Sequence, residues 1–314
     1  MILCQRMAGL PRQQCLRFVR PRIFAERPAV SNLNRFKLRA GYSSLTRDRS
    51  DKRTVIVTGS SRGIGRAIAL RLAADGYNVC INDVSANRFG CEEVVKEIQG
   101  MGRKAFTAIA DVTNRDEVKQ MVQNTVDTLG PLNTMIANAG IAQVRDILDV
   151  TEQEFERMFS VNVFGVQNCF AEAAKQMIRQ GTCQPNSPGK LIAAASVVAF
   201  RPFLSLPHYS ASKYAVRGLT QAYAMRLANQ HITANAYAPG IIGTAMWDQI
   251  DAEMSKNNGL PIGENMRKMI YEDTAMQRVG TAEDVAKLVS FLASSDSDFV
   301  TGQTQLVDGG MFYT

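Results

Sequence analysis

Histidine occurs only twice in the 314 residues, at His208 and His231, and the six cysteines include no Cys-x-x-Cys pair. A zinc site needs four nitrogen or sulfur ligands at close spacing, and a disulfide framework needs a denser set of cysteines, so both are excluded as organising features. Cys4 and Cys15 fall in the N-terminal leader, and Cys80, Cys91, Cys169 and Cys183 read as reduced packing thiols. No run approaches the 18 or so apolar residues of a membrane-spanning helix; the longest, Leu191 to Phe200, is of strand length. No internal repeat or low-complexity linker breaks the chain, and a 46% hydrophobic content supports a sizeable core.

Basic charge is also scarce once it is located. Residues 1–50 hold ten Arg and one Lys against Glu26 and Asp48, a net of +9 within an overall +7, which leaves −2 for everything after them. A nucleic-acid-binding role requires basic clustering in the folded body, and the body lacks it. The leader, Arg-rich and acid-poor with apolar residues between its arginines, has the composition of a mitochondrial transit peptide and predicts a matrix location. A disordered basic tail on a cytoplasmic protein is the other reading.

From residue 51 onward, short β-branched or apolar runs alternate with stretches of helical period. The runs are Thr54–Thr58, Tyr77–Asp83, Lys104–Ala110, Leu132–Ala137, Lys190–Ser196, Ile232–Ala238 and Thr304–Val307. Between them lie Gly65–Ala74, Ala86–Met101, Arg115–Leu129, Glu152–Arg179, Tyr209–Asn229 and Ala282–Ala293. Strands separated by helices predict a single α/β domain, a doubly wound, seven-stranded parallel sheet of Rossmann type, because each parallel connection needs a crossover. Gly243 to Gly280 is the main irregularity, and its place after a strand makes it a candidate substrate lid.

The first strand runs into Thr58-Gly59-Ser60-Ser61-Arg62-Gly63-Ile64-Gly65, after which a helical pattern begins. Glycines at such a turn let backbone approach a pyrophosphate, while the helix N-terminus offers N–H donors and a positive dipole end. The strand-to-helix placement favours this over a plain connecting turn. Asp83 ends the second strand 18 residues beyond Gly65. A carboxylate there accepts from both adenosine ribose hydroxyls and repels a 2′-phosphate, so NAD is expected over NADP, with Arg62 and Arg88 as nearby cations that soften the preference. Asp111-Val112, after the third strand, either meets the adenine amino group or leads into the next helix as a cap.

Tyr209 and Lys213, four apart, share one face of a helix. A phenol near pKa 10 is a poor base at neutral pH, but a lysine ammonium and an oxidised nicotinamide beside it favour phenolate, at a scale of roughly 4 kcal/mol to bring it into working range. Alone such a pair is helix surface. With the glycine turn upstream and Ser196, at a strand end thirteen residues earlier, it becomes a catalytic set.

Together these motifs resemble the short-chain dehydrogenase/reductase family over about residues 53–314. The family's glycine motif is Thr58 to Gly65, its Asn-Asn-Ala-Gly is Ala137-Asn138-Ala139-Gly140, and its catalytic residues fall on Asn162, Ser196, Tyr209 and Lys213. Its Pro-Gly segment is Pro239-Gly240 through Ile242 to Thr244, and the one departure is Ala137 for the first Asn. The resemblance implies hydride transfer between a nicotinamide cofactor and a small carbonyl or alcohol substrate. It assigns Tyr209 as proton donor and acceptor, Ser196 to the carbonyl oxygen, Lys213 to the nicotinamide ribose and the Tyr209 pKa, and Asn162 to a relay water. Asn138 would stabilise the central sheet, and Ile242 and Thr244 would anchor the carboxamide. Within the family the resemblance is to diacetyl/acetoin reductases and 2,3-butanediol dehydrogenases, carried by Pro239 to Trp247, Ala215 to Thr220 and the ending Asp308-Gly309-Gly310-Met311. It implies a homo-oligomer, tetrameric as is common in the family.

Val197, Phe203 and Trp247 would wall a small, weakly polar substrate, with ordinary packing as the competing account. A 3-oxoacyl-thioester reductase and a sugar or polyol dehydrogenase are the alternative enzymes. A non-catalytic NAD-binding scaffold or sensor is the alternative outside catalysis, against which stands the retention of all four catalytic residue types.

Overall fold

In the computed structural model, residues 53–314 are described, and the leader of residues 1–50 lies outside them. The strands are β1 Thr54–Val57, β2 Asn78–Asp83, β3 Ala105–Ile109, β4 Leu132–Ala137, β5 Gly189–Ala194, β6 Ile232–Pro239 and β7 Thr304–Val307. They pair in parallel throughout, in the order β3-β2-β1-β4-β5-β6-β7. The expected seven-stranded, doubly wound sheet is therefore the observed one, and it organises one domain.

Every residue of β1, β5 and β6 is buried, which is the pattern of strands covered on both faces. Alternate side chains still go to opposite layers. Ile56 and Cys80 join the cluster packed by helices α3 Arg115–Leu129, α5 Gly165–Gln180 and α6 Pro207–Leu227. Val55, Val57, Val79 and Ile81 join the cluster packed by α1 Gly63–Ala74, α2 Arg88–Gly100 and α9 Ala282–Ala293. The order reverses at β1 and β4, so a crevice opens at their carboxyl ends, where open α/β sheets bind ligands.

Two expectations are corrected. The segment read as one helix, Glu152–Arg179, is α4 Glu152–Phe159, a π turn at Ser160–Phe164, and α5. The candidate lid is not irregular, because it contains α7 Ala245–Asn258 and α8 Glu264–Asp273. The two helices are tied by Asp251 of α7, which is almost fully buried and accepts from Met266 N at 2.8 Å and from Gly263 N at the start of α8. A carboxylate against the N-terminal N–H groups of a helix satisfies donors that the helix itself cannot. Among the described residues no helix is long and apolar enough to cross a membrane, and no cluster of metal-ligating side chains occurs. Cys80, Cys91, Cys169 and Cys183 are free, and burial raises each thiol pKa.

Candidate active site

The glycine turn begins where β1 ends and is fastened to β4 by Asn138. The Asn138 amide donates to the carbonyls of Thr58 (2.9 Å) and Gly59 (3.0 Å), and its Oδ1 accepts from Tyr237 Oη at 2.8 Å. Gly59 has φ +62°, and a Cβ there would lie 2.8 Å from Ala139 Cα; a Cβ on Gly65 would overlap the Gly59 carbonyl and the Asn138 amide. Only glycine fits either place, so the turn stays flat against the sheet and leaves the start of α1 open. Arg62, the N-cap of α1, makes no side-chain capping bond, and the first turn holds no acidic residue. The helix N-terminus thus keeps unsatisfied donors and a positive dipole end facing the crevice, a cradle suited to phosphate. Ile64 packs inward against the core.

Asp83 closes this end. Its Oδ2 accepts from Ser61 Oγ at 2.6 Å, and its Oδ1 from Val84 N at 2.9 Å and Asn87 Nδ2 at 2.8 Å. Oδ2 also accepts from Ser61 N at 3.3 Å, so each oxygen takes two donors and the carboxylate is fixed in direction. Asp111 Oδ1 accepts from Thr113 N at 2.9 Å, while the cap of α3 is Asn114, so Asp111 shapes the approach to the helix without capping it. Val112 is buried against α5, its carbonyl accepting from Asn168 at 2.9 Å.

At the far end, α6 starts on Pro207, whose fixed φ suits the first helical position, and carries Tyr209 and Lys213 under the carboxyl end of β5. Ser196 lies two residues past β5. The Lys213 ammonium is nearly sealed from solvent, donates to Ala194 O at 2.8 Å and sits 5.5 Å from the centre of the Tyr209 ring. Burial holds its pKa down at about 8. Burial pushes the Tyr209 phenol up to about 12, against a hydrogen bond with Ser196 that pulls it down. Desolvation outweighs the Ser196 hydrogen bond, and the expected depression of the phenol calls for an oxidised nicotinamide beside it as well as the ammonium.

Asn162 sits in the π turn and is fully buried. Its Oδ1 accepts from Ile141 N at 2.9 Å, and its Nδ2 donates to Ile141 O and to Ser212 Oγ, both at 3.0 Å. Ser212 in turn donates to the Tyr209 carbonyl at 2.7 Å, so the tyrosine backbone is locked through Asn162 to the end of β4. Gly140 separates Asn162 from Lys213: a Cβ on it would stand 3.2 Å from Asn162 Oδ1 and 3.5 Å from Lys213 Nζ.

Pro239 and Gly240 lead out of β6; a side chain on Gly240 would strike Asp308, 2.8 Å away. Ile242 bridges to Gly280, and Thr244 stands at the N-cap position of α7 without a side-chain capping bond, its Oγ1 donating instead to Ile242 O at 3.3 Å. A Cβ added to Gly63 would lie 3.7 Å from Thr244 Cγ2, so this segment borders the glycine turn.

A family model described as short chain dehydrogenase matches residues 53–255. The chain belongs to the short-chain dehydrogenase family. It is 44% identical over 261 residues to L-2,3-butanediol dehydrogenase of Corynebacterium glutamicum, covering 83% of this chain and 99% of that protein. Identity is 42% to an (S)-acetoin-forming diacetyl reductase of Staphylococcus epidermidis, at 83% and 99% coverage. It is 37% to a 3-oxoacyl-(acyl-carrier-protein) reductase of Staphylococcus aureus, at 83% and 98%. The crystal structure of a short-chain dehydrogenase/reductase from Mycobacterium marinum superposes with a TM-score of 0.74 at 30% identity, over 83% of this chain and 96% of that one. This short-chain dehydrogenase is an oxidoreductase that works with a nicotinamide cofactor on small molecules.

The three wall residues named from the sequence surround Tyr209. Val197, Phe203 and Trp247 share one apolar cluster with it, and Phe203 and Trp247 share a second with Val144, Leu206, Ile250 and Met254. Sequence reasoning missed Tyr237, which fixes Asn138, and Ser212, which fixes Tyr209. It also missed His208, buried beside Tyr209 with its Nε2 3.2 Å from Gln143 Oε1. Gln143 Nε2 donates to Glu154, which leaves its oxygen to accept, so His208 carries its proton on Nε2. Nothing in the local pattern marked Tyr237, which lies inside β6, or Ser212 or Gln143.

Proposed function

We propose that this enzyme moves a hydride between NAD(H) and a small ketone or secondary alcohol of the diacetyl, acetoin and 2,3-butanediol type, with Tyr209 as general acid and base. The observation that carries this reading is the convergence of Tyr209, Ser196 and Lys213 within an apolar wall at the mouth of the glycine-turn crevice. NAD(H), when bound, supplies or accepts the hydride. The open N-terminus of α1 would hold its pyrophosphate, Asp83 its adenosine ribose, and Ile242 and Thr244 its carboxamide.

During reduction, Tyr209 gives its proton to the carbonyl oxygen while Ser196 donates a hydrogen bond to the same atom, so the developing alkoxide charge is met by a donor and an acid together. A phenol held near 12 is already protonated at neutral pH, which suits the reducing direction. Oxidation needs phenolate, and the Lys213 ammonium is the group placed to stabilise it. Asn162, through Ser212, keeps the phenol aimed. The apolar wall favours a weakly polar diketone over a polyol.

The purified protein should oxidise NADH with diacetyl and acetoin at higher kcat/KM than with acetoacetyl thioesters or ketoses. A thioester preference would sink the diketone assignment and favour the activity for which the relative at 37% identity is named. Asp83→Ala should raise the NADPH to NADH ratio of kcat/KM by at least about tenfold, since it removes both the ribose acceptor and the charge opposing a 2′-phosphate. An unchanged ratio would remove Asp83 as the selector.

A further inference from the structure

The first turn of α6 carries a second titratable side chain beside Tyr209. His208 is the second residue of that helix and is buried. Its Nε2 meets Gln143 Oε1 at 3.2 Å, while its Nδ1, equally buried, has no hydrogen-bond partner among the described residues. Gln143 lies in the loop that follows β4, and its amide donates to Glu154 of α4 at 2.7 Å. Arg145 of the same loop donates to that Glu154 oxygen at 2.8 Å. Arg145 N donates to Ser205 O at 3.1 Å and Val144 N to Glu253 of α7 at 3.0 Å. The loop is thus stitched to α4, to α7 and to the segment before α6, and His208 joins it to the turn that carries the phenol.

Of the four linked groups, Arg145, Glu154, Gln143 and His208, one titrates near neutral pH. The Arg145 guanidinium holds the Glu154 carboxyl down at about 2, so it stays ionised. An ionised carboxylate takes only donors, which turns the Gln143 nitrogen towards Glu154 and its oxygen towards His208. The neutral imidazole therefore keeps its proton on Nε2. A second proton would go to Nδ1, where no acceptor waits, and would place a full charge in a buried site. Burial accordingly lowers the His208 pKa, with Glu154 opposing and Arg145 assisting. Asn162 and Ser212 hold the same turn by the Tyr209 carbonyl, but neither can gain or lose a proton in this range.

We propose that His208 is a positioning residue for Tyr209: as the neutral Nε2–H tautomer it clamps the first turn of α6 to the loop after β4, and a second proton on the ring releases that clamp and lets the phenol leave its working position. The inference rests on the reading of Tyr209 as general acid and adds to it an acid limit set by the preceding side chain.

The test is kcat for diacetyl reduction by NADH from pH 5.0 to 8.0 for the parent chain, His208→Gln and His208→Ala. The glutamine amide places an N–H close to where Nε2 stood and has no second proton to gain. His208→Gln should keep kcat at pH 7.5 within about threefold of the parent, and the ratio of parent to Gln kcat should fall at least about twofold between pH 7.5 and 5.0. His208→Ala should lose about tenfold in kcat at pH 7.5 while its NADH dissociation constant stays within about threefold of the parent's. Parallel pH profiles for parent and Gln, or an Ala variant as active as the parent, would overturn the inference and leave the acid role of Tyr209 standing. Retained turnover in Tyr209→Phe would overturn that role and this inference with it. Thermal unfolding without cofactor decides the matter should Ala not fold. Below the ordinary histidine pKa of 6.5 the unfolded chain binds the extra proton first, so the parent should lose Tm relative to Gln as pH falls through that window. A constant difference would show that His208 does not resist the second proton, and the clamp would be refuted.

Discussion

Tyr209→Phe is expected to lower kcat for ketone reduction by at least about a thousandfold while changing the NADH dissociation constant by no more than about threefold, because it removes the acid and leaves the ring. The phenol carries a transferable proton and has a hydrogen-bond partner, Ser196, just past the end of β5. Water cannot readily replace it, since the apolar clusters built from Val197, Phe203 and Trp247 close around the ring. The phosphate cradle and Asp83 lie on other elements and are untouched by the change, so binding and chemistry should separate cleanly. Steady-state assay of diacetyl reduction gives the first number, and quenching or enhancement of NADH fluorescence gives the second. A Phe variant that keeps a tenth of the parent turnover would take Tyr209 out of the proton-transfer role. One that loses NADH binding in parallel would show that the tyrosine holds the cofactor site together instead.

What the sequence made legible follows from how local each signal is. The strands were readable to within about two residues because each is a short apolar run bounded by turn residues, and both faces of the sheet demand apolar side chains. The glycine turn, Asp83, Ser196, Tyr209 and Lys213 stood out as candidates because each sits at or just past a strand end or in the first turns of a helix, places that a local pattern marks. The π turn at Ser160–Phe164 was not, since one extra residue in a helical stretch leaves the apolar period on either side nearly intact. Helices α7 and α8 were hidden for a different reason. Few of their side chains are buried, and their stability leans on a long-range contact, the Asp251 carboxylate against the start of α8. The locking chain from Ile141 through Asn162 and Ser212 to Tyr209 crosses three elements, so no local pattern announces it. The rise of the Tyr209 pKa depends on how completely the tertiary structure dehydrates the ring, which the spacing to Lys213 cannot report.

Lys213→Met should make the protein more stable and nearly inactive at once. The ammonium is only 3% exposed and has a single carbonyl partner, Ala194 O at 2.8 Å. Burial lowers its pKa from 10.5 to about 8, which means that at neutral pH the folded state carries a charge the unfolded state holds more cheaply. That difference corresponds to about 3 kcal/mol of lost stability. The sign follows from proton counts: between pH 8 and 10.5 the unfolded chain binds more protons than the folded one, so stability rises with pH through that window. Methionine fills similar space without charge but leaves the Ala194 carbonyl without its donor, at about 1–2 kcal/mol. The net gain at pH 7 is about 1–2 kcal/mol, or a rise in Tm of about 2–8 °C for a domain of this size. Above pH 10.5 the gain should turn into a loss of about 1–2 kcal/mol, because lysine is then neutral in both states and still donates to Ala194 O, which methionine cannot. Turnover should fall at least about a hundredfold, since phenolate loses its stabilising cation at the moment charge develops. Thermal unfolding of both proteins from pH 7 to 10.5, with kcat on each, checks the two halves together. A Met variant less stable than the parent at pH 7 would mean that the lysine holds the site together, and that the strain assigned to its buried charge is absent.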